Sequence, residues 1–256
     1  MTFPYISIED AIKTPGLRMV VVGNVPSPWG EAAKGILHMK RVDWAAVRLT
    51  YDGEALQVWA GERSGPIAIY DNEKPRSRWN DILLLAERLS PEPALLPKEA
   101  NARSLVFGLA HEICGESGLA WSRRLELIHA GLQNSGGFPE QVSKYLAKKY
   151  GYTAATGAAA PARVAAILQM LAARLVEQYR AGSRYYVGDT PTAVDVYSAT
   201  SMALFRPLPD AQCKMDAPTR AAFERRDPQI EAALDPILLA HRDMMYAQHL
   251  ELPLSL

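Results

Sequence analysis

The chain has 256 residues, with 28 lysines and arginines balanced by 28 aspartates and glutamates, and only two cysteines. The zero formal charge argues against a basic nucleic-acid-binding surface or a polybasic membrane patch. Cys114 and Cys213 are far apart and match no metal-binding spacing, so we expect a reducing compartment, no disulfide framework and no metal site. No secretory signal and no apolar run of membrane-spanning length is recognised, which predicts a soluble, cytoplasmic protein.

The first ninety residues indicate a small α/β layer. A short helix capped by Ser7 and Asp10 precedes the first strand, and Glu54–Gly61 mixes helix and strand features. Asp52-Gly53 is a turn signal. Periodicity and β-branched composition predict strands over Met19–Val22, Val42–Tyr51 and Ile67–Tyr70, and an amphipathic helix over Trp79–Leu89.

The segment after the first strand has two interpretations. Ser27 precedes Pro28, and proline suits the first turn of a helix because its missing N–H is not needed there. The Ser27 hydroxyl and the free N–H groups of that turn are suited to holding an anion such as a thiolate. The same arrangement is also an ordinary helix cap, which is the more common use of serine at this position.

Prolines mark two further boundaries. Pro66 stands directly before the third strand, which predicts a strand start or edge and leaves a cis bond with Gly65 open. Ser90–Pro97 carries three prolines and indicates a linker, so we expect one domain over residues 1–90 and another over residues 91–256.

Strand signals nearly vanish beyond the linker, which predicts an all-helical second domain. Ala154–Ala160 is rich in small residues and is predicted to be a flexible connection. Thr192 and Asp195 have the spacing of a capping box at the start of a helix. The predicted helices are Ala100–Cys114, Leu119–Leu132, Pro139–Tyr150, Pro161–Ala181, Thr192–Phe205, Thr219–Phe223 and Gln229–Gln248.

Taken together, these features resemble the glutathione S-transferase superfamily over nearly the whole chain. The resemblance implies an α/β plus all-α fold, with an N-terminal thioredoxin-like, glutathione-binding domain and an all-helical substrate-binding domain. The most specific motif is Gly188–Asp195, which in the family is the buried capping box of a central helix. The other residues that carry the resemblance are Ser27-Pro28 with Lys34, Gly65-Pro66-Ile67, and Asp81–Leu85 with Leu89.

The resemblance also implies a glutathione site. Ser27 matches the catalytic position, where its hydroxyl would donate to the glutathione sulfur and favour the thiolate, with Pro28 and Trp29 beside it. Gly65 and Pro66 match the segment that binds the cysteinyl part of glutathione through its backbone, although valine is usual in place of Gly65. Asp81 and Ile82 match the acid and serine that hold the γ-glutamyl end. The serine is replaced by Ile82, and Ser77 is an alternative hydroxyl.

Trp29, His111 and Glu112 are the predicted lining of a pocket for the second substrate. His111 and Glu112 lie on the first long helix of the second domain, which faces the cleft in the superfamily. Each residue also has a structural interpretation, since Trp29 can pack under its helix and a lone histidine on a helix is more often structural.

The leading functional hypothesis is a cytoplasmic, homodimeric transferase in detoxification that joins the glutathione thiolate to a hydrophobic electrophile. Glutathione is then a cosubstrate, and no metal, nucleic acid or membrane is expected as a partner. Alternatives are glutathione-dependent ether cleavage, peroxide reduction, or a non-catalytic binding protein with the same fold. Serine at position 27 argues against a thiol-disulfide reductase, because it cannot form the mixed disulfide.

Overall fold

The computed structural model describes residues 4–51 and 53–256; residues 1–3 and Asp52, which belongs to the predicted Asp52-Gly53 turn, lie outside the described residues. The N-terminal part alternates helices and strands, and the C-terminal part is helical. In chain order the elements are α1 (Ile8–Lys13), β1 (Leu17–Val21), α2 (Pro28–Met39), β2 (Trp44–Arg48), α3 (Glu54–Ala60), β3 (Ile67–Tyr70), α4 (Trp79–Leu89), α5 (Ala100–Cys114), α6 (Leu119–Leu132), α7 (Glu140–Lys149), α8 (Ala154–Arg180), α9 (Ala193–Ser201), a 3-10 turn (Met202–Leu204), α10 (Ala217–Phe223), α11 (Pro228–Ala233) and α12 (Pro236–Gln248).

The sheet has the strand order β2-β1-β3, with β1 parallel to β2 and antiparallel to β3. All five residues of β1 are buried, Arg18 included, as expected for a central strand covered on both faces. A further antiparallel bridge joins Ala68 to Arg76. Because β1 lies in the middle of the sheet, the segment that follows it emerges at the centre of one sheet edge.

Most of the predicted N-terminal elements are confirmed. Ser7 caps α1 by accepting a hydrogen bond from the Asp10 amide at 3.0 Å. The ambiguous stretch is the helix α3, which ends at Gly61 in the left-handed conformation with φ of 80° that glycine adopts readily. The Gly65–Pro66 peptide bond is cis, the possibility that the sequence left open.

Two predictions about the helical half are wrong. Ala154–Ala160 is not a flexible connection but the start of α8, where Thr153 and Thr156 form a capping box. Pro161 lies inside that helix rather than at its beginning, so its missing N–H removes one hydrogen bond of the helix ladder. The single helix expected over Gln229–Gln248 is divided into α11 and α12 by Asp235, which caps α12 ahead of a first-turn proline.

The helix α8 is long and apolar enough to cross a membrane by length and composition alone, contrary to the sequence prediction that no such segment exists. Its apolar residues lie along the face packed within the helical bundle, where Val164, Leu168, Leu171 and Leu175 are buried completely. This packing explains the apolar composition as that of a core helix.

The main hydrophobic core is continuous across the two halves of the chain. It joins side chains from β1, α2 and α4 to those from α5, α6, α8 and α9. The α/β plus all-α class is therefore confirmed, whereas the domain boundary after residue 90 stays a prediction. At the centre of this core, α2 packs against α9 through Gly35, where an added Cβ would meet Val196 Cγ1 at 3.1 Å and Leu250 Cδ2 at 2.8 Å.

Two helical glycines are expected to respond oppositely to alanine. Gly35→Ala should lower the free energy of unfolding by about 1–3 kcal/mol, because the new methyl group overfills the α2–α9 contact. Gly108→Ala, the matched control, should raise it by about 0.5–1 kcal/mol, because Gly108 lies inside α5 with open space around it. Urea unfolding of both variants measures the difference, and a stabilised Gly35→Ala protein would contradict this packing account.

Candidate functional site

A cavity of about 590 Å³ lies between the sheet edge that follows β1 and the helical half of the chain. Ser27, Trp29 and Gly65 line its sheet side, so the structure brings these three predicted site residues together. The other lining residues are Val22, Val25, Tyr51, Arg124, Phe138, Pro139, Gln141, Val142, Tyr145, Leu146, Lys149, Tyr150, Asp216, Pro218, Thr219 and Phe223. We call this cavity the cleft.

Ser27 occupies the N-cap position of α2, and its backbone carbonyl accepts the Glu31 amide at 2.7 Å. Its side chain makes no capping hydrogen bond, although capping is the usual role of serine at this position. The residue is buried and lines the cleft. Ser27 therefore lies at the positive end of a twelve-residue helix, and its hydroxyl does not cap that helix. The helix dipole at this end stabilises an anion that binds there.

Gly65 and Pro66 contribute differently to the surroundings of Ser27. Gly65 lines the cleft, whereas Pro66 lines a smaller adjacent cavity together with Trp29 and Ser77. A Cβ added at Gly65 would meet Val20 O at 3.5 Å and Val22 Cγ2 at 3.6 Å, which are ordinary contacts. Packing therefore does not require glycine at this position, and the backbone next to the cis bond is the part of Gly65 that reaches the cleft.

Trp29 combines the two roles that the sequence left open. Its ring lines the cleft, and its indole N–H donates to the Cys114 carbonyl at 2.8 Å. The Cys114 carbonyl lies at the end of α5, so this bond joins α2 to the helical half beside the cleft. Trp29 is accordingly both a wall of the cleft and a fixed structural contact.

Tyrosines from both halves of the chain form another wall. The rings of Tyr51 and Tyr145 meet edge to face with centroids 5.5 Å apart, and Tyr150 lies 6.2 Å from the ring of Trp29. Burial raises the pKa of all three tyrosine hydroxyls above the ordinary value. They remain neutral near pH 7 and offer apolar rings with hydroxyl groups at their edges.

Two cations of the cleft were not found by sequence reasoning. Arg124 is buried on α6, and Lys149 at the end of α7 donates to Ser64 Oγ at 3.1 Å. Desolvation, followed by the charge of Arg124, lowers the pKa of Lys149. The available signal was the adjacent pair Arg123-Arg124 in a helix rich in apolar residues, where a buried charged side chain needs a partner.

Three further predicted site residues do not line the cleft. Pro28 is buried in the first turn of α2 and is not among the lining residues. His111 is exposed on α5, and Glu112 pairs with Arg163 at 2.6 Å. Their placement as pocket residues is corrected, because the buried face of α5 carries Val106, Leu109, Ala110, Ile113 and Cys114 instead.

Asp81 and Ile82 lie in the first turn of α4, at the helix start where the sequence placed them, but not in the cleft. Ile82 faces the core with only 2% of its surface exposed. Ser77 and Arg78 are the residues that precede the helix, with Arg78 at the N-cap.

Both cysteines are expected to be inert in the folded protein. Cys114 and Cys213 are buried; burial raises the pKa of Cys114 well above its ordinary value and that of Cys213 to about 11. The thiolate is the reactive form, so dithiobisnitrobenzoate should modify neither residue quickly at neutral pH. Both thiols should react after unfolding in guanidinium, whereas a rapidly reacting thiol in the native protein would contradict the burial.

Among residues 4–51 and 53–256, no group of three or more His, Cys, Asp or Glu side chains is arranged to hold a metal ion. The donors that the cleft offers are instead the Ser27 hydroxyl, the backbone around Gly65, the tyrosine hydroxyls and two cations. This set suits an anionic or thiolate-bearing organic ligand.

The sequence matches no protein-family model and no curated protein. Solved structures do resemble it across most of the chain. A glutathione S-transferase from Xanthobacter autotrophicus Py2 is 18% identical with a TM-score of 0.58, covering 92% of this chain and 96% of that one. A glutathione S-transferase domain-containing protein from Marinobacter aquaeolei VT8 is 14% identical with a TM-score of 0.63, covering 90% and 98%.

A third similar structure is a glutathione S-transferase from Methylobacillus flagellatus KT with glutathione bound. It is 12% identical with a TM-score of 0.62, covering 90% of this chain and 94% of that one. The chain therefore has the glutathione S-transferase fold, with a thioredoxin-like N-terminal part and a helical C-terminal part, as the resemblance predicted. At such low identity the likeness concerns the fold, and the chemistry depends on the cleft itself.

Proposed function

We propose that this protein is a glutathione-dependent transferase that joins the glutathione sulfur to an electrophilic small molecule. The observation that carries the proposal is the Ser27 hydroxyl, which lies at the start of α2, does not cap that helix, and lines the cleft. The related fold of the Methylobacillus flagellatus protein, which holds glutathione, supports the choice of thiol.

In this proposal the glutathione sulfur lies beside Ser27 and its cysteinyl backbone pairs with the backbone at Gly65. The Ser27 hydroxyl donates to the sulfur, and the N-terminus of α2 adds its positive potential, so that both favour the thiolate. A free thiol has a pKa of about 8.5, hence such stabilisation raises the fraction of nucleophile at neutral pH.

The electrophile lies against the aromatic and helical wall, opposite Ser27. The sulfur attacks the electrophilic carbon, the new S–C bond forms, and the leaving group departs with the electron pair of the bond that breaks. The thiol proton passes to solvent when the thiolate forms. The protein contributes thiolate stabilisation and the proximity of the two reactants.

The first experiment compares thiols and electrophiles with the purified protein. Glutathione should react faster than free cysteine with chlorodinitrobenzene after the uncatalysed rate is subtracted, because only glutathione fills the site beyond its sulfur. The panel includes an aryl ether and cumene hydroperoxide, since the same thiolate serves ether cleavage and peroxide reduction. Equal rates with both thiols, or no reaction above background across the panel, would contradict the proposal.

A second candidate is a non-catalytic binding protein with the same fold. Ile82 favours it, because this buried apolar side chain stands at the position where the family has the serine that holds the γ-glutamyl end. If the protein only binds a ligand, that binding should not require glutathione and should be unchanged in Ser27→Ala. Loss of a glutathione-dependent activity in Ser27→Ala would instead support the transferase.

We also propose that the protein is cytoplasmic, acts in detoxification and forms a homodimer, as the resemblance implies. The packing of α8 as a core helix supports a location in water, and the exposed Leu84 and Leu105 on α4 and α5 offer apolar surface to a second copy. Sedimentation analysis of wild type and Leu84→Glu tests the dimer, which the substitution should weaken. A monomeric wild-type protein would contradict it.

A further inference from the structure

Two neighbouring arginines on α6 have very different surroundings. Arg123 is 1% exposed, and its guanidinium pairs with Glu126 and donates to the carbonyls of Leu204 and Arg225. Arg124 is 8% exposed, yet no carboxylate of residues 4–51 and 53–256 forms an ion pair with it. Its Nε is buried without a hydrogen-bond partner. One buried cation is therefore neutralised within the fold, and the other is not.

Arg124 is held in place by aromatic rings. Its Cζ lies 6.0 Å from the ring centroid of Trp29, 5.6 Å from that of Phe138 and 5.7 Å from that of Phe223, and all four residues line the cleft. Stacking on rings uses the faces of a guanidinium, whereas its N–H donors lie in its plane. The side chain thus lies among three rings, and its guanidinium forms no hydrogen bond within residues 4–51 and 53–256.

The charges around the cleft favour an anion from outside the chain. Burying a cation without a partner is costly, and a charge at low dielectric interacts strongly with an anion that reaches it. Lys149 supplies a second cation to the same cleft. The acid that lines it, Asp216, caps α10 by accepting the Thr219 amide at 2.8 Å.

We propose that the second substrate is an electrophile bearing a carboxylate, and that Arg124 determines this specificity by binding the carboxylate through paired N–H donors. The inference rests on the proposed function, because it places the acid group opposite the glutathione sulfur at Ser27. A planar carboxylate matches the fork of a guanidinium better than a spherical anion does. The apolar body of the molecule lies against Tyr145, Val142 and Leu146, which share the cleft.

The test uses two electrophiles that differ only at one group. The acid probe is a para-chlorobenzoate with nitro groups on both carbons beside the chlorine, and the amide probe is its primary amide. In each reaction the glutathione sulfur replaces chlorine, which leaves as chloride, and the thiol proton goes to solvent. Rates are divided by the uncatalysed rates so that electronic differences between the probes cancel.

We expect wild type to favour the acid probe, and Arg124→Gln to lower its kcat/KM by about 10- to 100-fold, the range for a lost hydrogen bond to a charged group. The amide probe should change by less than about threefold, a small part of that range. Arg124→Lys should retain part of the preference, because it keeps the charge and loses the fork. Arg226→Gln removes one exposed charge outside the cleft and should leave both rates unchanged.

A second measurement keeps the inference testable if Arg124→Gln does not fold. The chlorine-free dinitrobenzoate and dinitrobenzamide are compared as competitive inhibitors of wild type, where the acid should bind at least about tenfold more tightly. Equal inhibition, or an equal loss for both probes in Arg124→Gln, would overturn the inference. The wild-type protein is also titrated with glutathione. Absence of glutathione binding would contradict the proposed function, whereas glutathione binding without a preference for the acid probe would contradict only this inference.

Discussion

Replacing Asp195 with alanine is expected to lower the free energy of unfolding by about 3–5 kcal/mol, the range for breaking a buried charged network. Asp195 is fully buried at the start of α9. Its carboxylate accepts hydrogen bonds from the Thr192 amide at 2.7 Å, the Thr192 hydroxyl at 2.9 Å and the Tyr186 amide at 3.0 Å. The His241 ring lies at 3.0 Å from the same group, so the variant leaves several buried donors without partners.

Urea unfolding followed by circular dichroism measures this loss. Asp189→Ala is the matched control, because Asp189 belongs to the same motif but is exposed, and its free energy of unfolding should change by less than about 0.5 kcal/mol. Asp195→Asn keeps the shape and should fall between the two, which preserves the comparison if the alanine variant aggregates. An alanine variant within about 1 kcal/mol of wild type would contradict the role of this network.

Ser27→Ala is expected to lower kcat/KM for the glutathione reaction by about 10- to 100-fold and to raise the pKa of the bound thiol by about one to two units. Both figures follow from losing one hydrogen bond to a charged acceptor, roughly 1.5–3 kcal/mol. The pKa rises because the hydroxyl stabilises the thiolate and not the thiol. Ultraviolet absorbance of the bound thiolate, followed against pH, measures the shift.

The same variant separates catalysis from helix capping. A serine that caps a helix loses about 0.5–2 kcal/mol when replaced by alanine, whereas Ser27 makes no capping bond and should change the free energy of unfolding by less than about 0.5 kcal/mol. Ser104→Ala, an exposed serine on α5, is the control for both readouts. A destabilised Ser27→Ala protein with an unchanged thiol pKa would identify the residue as a plain cap.

The elements with strong local signals were predicted closely from the sequence. Trp79–Leu89 and Ala100–Cys114 match to the residue, because an amphipathic stripe and flanking prolines or glycines define them locally. The prediction for Ala154–Ala160 was wrong because Pro161 has the sequence pattern of a helix start. In the packed bundle the helix α8 begins earlier and contains Pro161. Tertiary contacts decided that case, and a sequence window does not contain them.

The same distinction applies to the site. Ser27 was identified from the order strand, Ser-Pro, helix, and Gly65 from the family resemblance. Both lie at the sheet edge where β1 ends and the antiparallel β3 begins. Arg124, Tyr145 and Phe223 come from three helices, and the direction of their side chains is set by how those helices pack. Asp81 and Ile82 were placed correctly in the first turn of α4, but the face of that turn that meets the core is set by packing, and Ile82 lies on it.

The central claim is that the cleft beside Ser27 binds glutathione, and calorimetric titration of the wild-type protein with reduced glutathione tests it most directly. The account predicts saturable binding of one glutathione per chain with a Kd below about 1 mM, equivalent to at least about 4 kcal/mol of binding free energy. Heat that never rises above dilution at millimolar glutathione would contradict the claim and leave a protein that keeps the fold without the cosubstrate.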